Sequence, residues 1–406
     1  MTVFNKKKLL VLGCGGAQLD LIKESKKLGY LTIACDMRPE MEGAKIADKY
    51  YQVDYMDLEQ VCTIAEEEDI DGIISNSEPA MVHVAHIAQR MNLIGNNAEA
   101  IETLVSKSKF RELQRKARVF APDHYAVDSY SELLEKIQSI YFPVIIKPTI
   151  STGSQGTTRL DRFDVKMIEQ AYNVCRLYSR TGQVSIEEYV PMNSPLVSES
   201  DVVVIGDDII WDGMMWTRRS EKTPMLPETY ICPMNLDEGK KSKIKAVVEK
   251  ILKTAGITHG QYNVEANLTD NDEVFVIEIN PRQGGNHIPQ LIEQHTGVNL
   301  SKLLVSTAVG DMTYYNDLKT FKRENNFVTL HVVYARENGI LEGIYINPEI
   351  KPHIKWTEQR IPNGVKISKG STVFDGIACV DLQFDSFEEQ KYFTEQIERF
   401  IYPIIQ

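Results

Sequence analysis

The chain of 406 residues is long enough for two or three domains, and its 43% hydrophobic content can fill sizeable cores. A net charge of −12 speaks against a nucleic-acid backbone or a membrane surface as the main partner, while leaving room for a small anionic ligand in a local basic site. Six scattered cysteines without a C-x-x-C pair read as reduced thiols of a cytoplasmic protein.

The opening KKKLLVLGC has the outline of a basic region, an apolar run and a lipobox cysteine, but LLVL is too short for a signal sequence. It is better read as a first strand. No run of about 18 apolar residues follows, so no membrane span is expected. Residues 1–106 alternate in an α/β rhythm: KKLLVLG as strand, AQLDLIKESKKLGY as amphipathic helix, then LTIACD, DLEQVCTIAEEEDI and DGIISN. This predicts a parallel, Rossmann-like half-sheet. The turn Gly13-Cys14-Gly15-Gly16 and Asp36 invite a dinucleotide reading, yet Gln18 stands where the third glycine of G-x-G-x-x-G belongs. An NAD-dependent oxidoreductase is therefore one rival, to be decided by bound nicotinamide. His83 and His86 share a predicted helix without a third ligand in view.

SKSKFRELQRKARVFAPDHY predicts a basic helix, and Ser129 with Glu132 a capping box. The strand FPVIIK ends in Lys147, a costly position for an ammonium unless an anion faces it. The loop that follows carries Thr152, Gly153, Ser154, Gln155 and Gly156, whose N–H and hydroxyl groups can meet phosphate oxygens. It is not a Walker A loop. SIEEYVP, with Glu187, Glu188 and Val190, is either a sheet edge or a strand whose backbone reads adenine. In WTRRSEKTPMLPETYICP, Arg218 or Arg219 suits a carboxylate and Glu228 an ammonium, although a solvated loop accounts for them equally well.

Two further strands carry polar residues on one face. HGQYNVEANL alternates Asn263, Glu265 and Asn267 with apolar residues; in VFVIEIN, Val276, Glu278 and Asn280 share a face opposite Phe275, Ile277 and Ile279. A two-residue turn at Asn271-Asp272 would set Glu265 against Glu278 and Asn263 against Asn280. Carboxylates about 5 Å apart repel or share a proton unless a cation lies between them. Oxygen-only ligands suit Mg²⁺, which completes its shell with water and phosphate. Pro281 keeps Asn280 extended, Arg282 offers a planar fork for phosphate, and Gly284-Gly285 admits close approach. The strand-like FVTLHVVYA and GIACVDLQF and a last helix opened by Ser386 and Glu389 form a third region.

The order of these segments (SK at 106–107, FPVIIKP, STGSQG, IEEYV, NVEAN, VIEINPR) resembles the ATP-grasp enzymes over about three quarters of the chain. The resemblance implies an α/β and α+β multidomain protein. A Rossmann-like domain (1–106) precedes an ATP-grasp core of two α+β subdomains (107–312, with a lid about 145–190), and a small mixed domain (313–406) follows. It makes Lys107 and Lys147 the phosphate lysines, with Lys109 in competition for the first. The 151–156 loop becomes the cover of the triphosphate, and Glu187, Glu188 and Val190 the surroundings of adenine. Glu265, Glu278 and Asn280 become ligands of two Mg²⁺ ions, with Mn²⁺ as an alternative, and Arg282 steadies the transferred phosphoryl group. Met192-Asn193-Ser194-Pro195 departs from the usual ribose pattern, leaving Glu199 for that contact. Gln283-Gly284-Gly285-Asn286 lacks the glutamine-valine-glutamate run of biotin carboxylases and looks more like the amino-acid and dipeptide ligases. The implied function is a carboxylate–amine ligase that forms an acyl phosphate from ATP, then an amide, with small-molecule substrates and a homodimer left open. The alternatives are a carbamoyl-phosphate-synthetase-like or carboxylase-like enzyme and a catalytically silent nucleotide-binding regulator.

Overall fold

The computed structural model describes residues 6–406 apart from 152, 154, 193, 221, 222 and 371. Near the N-terminus four short strands form a parallel sheet in the order Lys49–Tyr51, Leu31–Cys35, Lys8–Leu12, Gly72–Ser75. Alternate residues of Lys8–Leu12 feed two cores. Leu9 and Val11 pack with Leu21 and Ile22 of the helix Gly16–Lys27, and Leu10 and Leu12 with Val61 and Cys62 of Leu58–Glu68. Cover on both faces explains why this strand is apolar throughout. The first core also takes in Leu304, Val305 and Ala308 from the distant helix Leu300–Ala308. A Cβ on Gly72 would stand 2.4 Å from the Ala308 carbonyl oxygen, so the two parts of the chain are in close contact there.

The glycine turn is closed from within. Cys14 N–H donates to Asp36 at 2.9 Å, and Arg38 Nε and Nη2 donate to the same carboxylate at 3.0 and 2.9 Å. A ribose would have to displace Arg38 to reach it.

A second, antiparallel sheet runs His124–Val127, Val184–Glu188, Val144–Pro148, Thr158–Leu160. Val144, Ile146, Val184 and Ile186 pack there with Leu133 of Tyr130–Lys136 and Ile168 of Val165–Tyr178. This unit takes in the edge strand His124–Val127, which pairs with Val184–Glu188.

The largest sheet is antiparallel, in the order Val274–Asn280, His259–Leu268, Leu196–Ile205, Met215–Ser220, Thr223–Cys232, Phe327–Tyr334, Gly376–Phe384, Ile354–Gln359. The strands Phe327–Tyr334, Gly376–Phe384 and Ile354–Gln359 from beyond residue 313 therefore continue the core sheet, while Lys366–Ile367, Gly339–Ile346 and Ile401–Ile405 form a three-stranded sheet apart. Among the described residues, no helix is long and apolar enough to cross a membrane.

The hairpin that carries Glu265 and Glu278 reaches the expected pairing by an unexpected route. Its loop has three residues, not two: Thr269 N–H donates to Glu273 O at 2.9 Å, with Asp272 in the left-handed region at φ +57°. That sets Leu268 opposite Val274 and Ala266 opposite Val276, one residue out of the anticipated register. A bulge at Ile277 then restores it, so that Glu265 faces Glu278 and Asn263 faces Asn280. The bulge also corrects the face assignment. Val276 joins Val274 and Ile279 in the core, whereas Phe275 meets Phe120 at 5.8 Å and the Arg111 guanidinium at 5.3 Å.

Candidate active site

Ser106 caps the helix Lys107–Lys116, its hydroxyl accepting from Lys109 N–H at 3.4 Å. This start turns Lys107 toward the 151–156 loop, where its Nζ reaches the Ser151 carbonyl at 3.2 Å. Lys109 turns outward to Glu102 at 3.3 Å. Of the two expected phosphate lysines in S-K-S-K, the geometry thus brings Lys107 to the loop. Gly153, Gln155 and Gly156 lie in that loop; the expected contacts Thr152 and Ser154 lie outside the described residues. Gly156 has φ +73°, and a Cβ there would press on Pro148 and Tyr178 at 3.1 Å, so a side chain would disturb both backbone and neighbours.

Lys147 is buried with its Nζ 2.6 Å from Glu187 Oε2, and Arg111 Nη2 donates to the same oxygen at 3.1 Å. Burial alone would raise the Glu187 carboxyl, but Arg111 and Lys147 hold it at about 2. Burial, helped by Arg111, pulls the Lys147 ammonium down to about 8 against the attraction of Glu187. The side chain of Glu187, expected beside adenine, is therefore committed to two cations. Glu188 points to the opposite sheet face, leaving its backbone for any base contact, and Val190 is buried.

Across from these lysines the core sheet aligns three carboxylates on neighbouring strands: Glu199 opposite Glu265, and Glu265 opposite Glu278. Glu199 accepts from Thr217 Oγ1 at 2.5 Å and Asn263 Nδ2 at 3.0 Å, which places the expected ribose contact within this row. Arg219 Nη2 reaches Glu265 at 2.8 Å, and Asn280 Nδ2 reaches Glu278 at 3.0 Å. Burial pushes Glu265 up to about 8, with Arg219 opposing and Glu278 and Glu199 adding repulsion. Burial also acts to raise Glu278, but Lys107, Asn280 and Lys147 outweigh it and hold the group low. Oxygen donors crowded until one carboxyl tends toward neutrality suit a hard divalent cation.

Arg282 follows this row. Its Nη1 donates to the Gln283 carbonyl at 2.8 Å, and its Nη2 to Glu78 of the N-terminal domain at 3.3 Å. The next turn is fixed by Asp201, which is fully buried. Gly284 N–H donates to both its oxygens at 3.0 and 2.9 Å, Asn263 Nδ2 at 3.0 Å and Gln261 Nε2 at 2.9 Å. Burial pushes Asp201 up to about 7 in spite of these donors. A Cβ on Gly284 would meet Ile288 at 2.7 Å and Asn263 at 2.9 Å, whereas one on Gly285 would meet nothing within 4 Å. Of the glycine pair, Gly285 is the one open to a ligand.

Asn286 and His287 are both left-handed, at φ +49° and +61°, a costly conformation for consecutive non-glycine residues. Residues from both sides in the chain hold them: Tyr230 OH accepts from Asn286 at 3.1 Å, Arg360 donates to Asn286 at 3.1 Å, and Glu358 meets His287 Nε2 at 3.0 Å. His287, Glu358 and Cys379 lie within 4.8 Å of one another, but the Arg360 guanidinium already supplies the cation, 2.9 Å from Glu358. Arg218 is tied to the Thr394 carbonyl and Glu228 to Arg336 at 2.8 Å, so neither stands where Arg219 does.

Arg111, Glu78, Asp201 and Arg360 were not legible as site residues. For Arg111 a signal existed. Phe110, Arg111, Leu113 and Gln114 form the buried stripe of their helix, and two polar residues in such a stripe demand partners.

Residues 106–313 match the family described as carbamoyl-phosphate synthase L chain, ATP binding domain. The chain belongs to this family. Its core is thus an ATP-grasp domain. Among curated relatives, the carbamoyl phosphate synthase large chain of Clostridium acetobutylicum is 24% identical over 376 residues, 86% of this chain and 34% of that one. The alanine–anticapsin ligase of Bacillus subtilis is 27% identical over 269 residues, 61% of this chain and 56% of that one. The chain thus spans about half or less of the length of these two relatives. Among solved structures, an L-amino acid ligase from Bacillus licheniformis aligns with a TM-score of 0.82 at 20% identity, covering 99% of each chain. The biotin carboxylase domain of the Hydrogenobacter thermophilus 2-oxoglutarate carboxylase, solved with MgADP and bicarbonate, aligns at 0.73 and 20%, covering 98% of this chain and 91% of that one. At these identities the likeness shows the shared ATP-grasp fold.

Proposed function

We propose that the protein is an ATP- and magnesium-dependent carboxylate–amine ligase that releases ADP and phosphate, with an amino acid among its substrates. One observation carries this reading: the paired carboxylates Glu265 and Glu278 lie beside Arg282, and half-buried Lys107 and buried Lys147 are near enough to lower Glu278, so cations and carboxylates face one space. A silent nucleotide-binding module needs no such confrontation of charges.

In the first step a substrate carboxylate oxygen bonds to the γ-phosphorus of ATP as the bond to the β-phosphate oxygen breaks, giving an acyl phosphate and ADP. An amine then bonds to the acyl carbon, phosphate leaves, and the amine loses a proton. The protein's part is to orient reactants and offset charge. Lys107, Lys147 and the N–H groups of the 151–156 loop receive the phosphates, and the backbone of Glu188 to Val190 receives the base. Glu265, Glu278 and Asn280 are the residues that would hold the magnesium ions, or manganese in their place; when bound, these neutralise the β- and γ-phosphates. Arg282 steadies the carboxylate and its acyl phosphate. Glu199, bonded to Thr217 and Asn263, fixes the carboxylate row.

The test is product analysis with ATP, Mg²⁺ and panels of amino acids. ADP and phosphate formed only with a carboxylate–amine pair, and lost in Glu278→Gln, support the reading. AMP and pyrophosphate would exclude it. A second reading follows from the bicarbonate in the related 2-oxoglutarate carboxylase structure: bicarbonate as the carboxylate. Bicarbonate-dependent ADP release without an amino acid would select it.

A further inference from the structure

A cavity of about 60 Å³ lies where the N-terminal domain meets the core, walled by Ile74, Met81, Val84, Ala85, Ile101 and Ala308, with Pro281 and Arg282 along one side. Its polar lining is already bonded within the protein. Ser75 Oγ donates to the Leu12 carbonyl at 2.7 Å, Thr307 Oγ1 to the Leu303 carbonyl at 2.8 Å, and Asn96 Nδ2 to the His259 carbonyl at 2.7 Å. Tyr262 OH donates to that carbonyl at 2.6 Å, and Gln261 Nε2 to Asp201. The cavity walls therefore present hydrocarbon to a guest. Charge is offered by the neighbouring pair, Arg282 and Glu78, at 3.3 Å, while the lining imidazole of His259 meets Thr258 Oγ1 at 3.4 Å.

A cation and an anion side by side next to an apolar cavity describe the complement of one chemical class. The carboxylate of an α-amino acid meets the guanidinium, its ammonium meets Glu78, and its side chain is aliphatic. Size narrows the class. A cavity of about 150 Å³ takes benzene, so 60 Å³ holds roughly three or four carbons and excludes a phenyl ring. We propose that this cavity is the side-chain pocket of the carboxylate substrate, and that the substrate is a small aliphatic amino acid such as alanine or valine. This rests on the ligase reading for its chemistry but not for its binding.

Each buried CH₂ is worth about 0.8 kcal/mol, or about fourfold in affinity. Isothermal titration of the full chain in MgADP should then show valine binding about 16-fold more tightly than alanine and phenylalanine binding no better than alanine. Ala85→Leu on one wall and Ala308→Leu on the opposite wall fill the space. At least one should melt as the parent protein does, and it should lose the preference for valine while still binding glycine. Equal affinity for glycine and valine, no amino-acid binding at all, or a valine preference that survives both folded variants would overturn the assignment. Parallel ADP assays separate the two claims. A side-chain gradient in binding without ADP release keeps the pocket and removes the ligase; ADP release without the gradient does the reverse.

Discussion

Replacing Lys147 with methionine should leave stability nearly unchanged while sharply lowering kcat, and the cluster around Glu187 shows why. Holding the buried ammonium at about 8 instead of its ordinary 10.5 costs about 3 kcal/mol at neutral pH. Glu187, held at about 2 instead of 4.5, returns a similar amount, part of which comes from Arg111. The buried pair is therefore close to neutral for folding, as buried ion pairs often are. Methionine removes the desolvated charge, keeps the volume, and leaves Glu187 bonded to Arg111 at 3.1 Å. Thermal or urea unfolding should place Lys147→Met within about 1 kcal/mol of the parent protein, whereas losing one charge-assisted phosphate contact should cost about 10²–10³ in kcat. Arg111→Met is the contrast. It strips partners from Glu187, Gln114 and the Val276 carbonyl and should cost about 3–5 kcal/mol. The pH dependence has a definite sign. Between about 8 and 10.5 the unfolded chain holds a proton on Lys147 that the folded chain has lost, so this group makes stability rise with pH there. That rise should be present in the parent protein and missing from Lys147→Met. If Lys147→Met unfolded as readily as Arg111→Met, the view that this lysine is held at a near-neutral balance for a ligand would be refuted.

Glu265→Gln should be more stable than the parent in EDTA. Because Glu265 is pushed up to about 8, the folded state holds a proton that the unfolded state has lost between about 4.5 and 8, and the parent loses stability as pH rises through that window. The gap should grow by roughly 1–3 kcal/mol, less than the full shift because Arg219 also loses its partner, and added Mg²⁺ should close it by stabilising the parent alone; equal melting curves at pH 5 and 8 would argue against it. Gly284→Ala should destabilise by about 1–3 kcal/mol through overpacking against Ile288 and Asn263, while Gly285→Ala should fold normally and act on substrate KM, both read by melting and steady-state kinetics. Arg282→Lys keeps the charge but loses the fork that spans Glu78 and a carboxylate, and kcat/KM should fall about 10²-fold or more with no change in Mg²⁺-dependent ATP binding.

How much of this was legible in the sequence depended on whether the signal was local. Two carboxylates on one face of apolar strands are visible in any alternation pattern, and their pairing was recovered. It was recovered through two offsetting departures, a third loop residue and a bulge at Ile277, neither of which the residue types announce. What selects the bulged register is tertiary. It puts Val276 into the core with Val274 and Ile279, and it brings the Val276 carbonyl to Gln114 Nε2 at 2.9 Å. The same distinction runs through the rest. Lys107 over Lys109 follows from a Ser106 cap and could be weighed locally, but the choice is made by Ser151, 44 residues away. The Glu187 side chain, expected beside adenine, meets Lys147 and Arg111, the latter 76 residues upstream. Glu199, expected at the ribose, is set beside Glu265 by strand order. The strand Phe327–Tyr334 joins the core sheet through Thr223–Cys232, about a hundred residues upstream. In each case the residue type announced that a buried charge needed a partner, while the identity of that partner was a property of topology. Buried charges at non-local junctions are therefore where this fold stores its specificity, and Lys147, which shares Glu187 with Arg111, is the position where that claim meets measurement most directly.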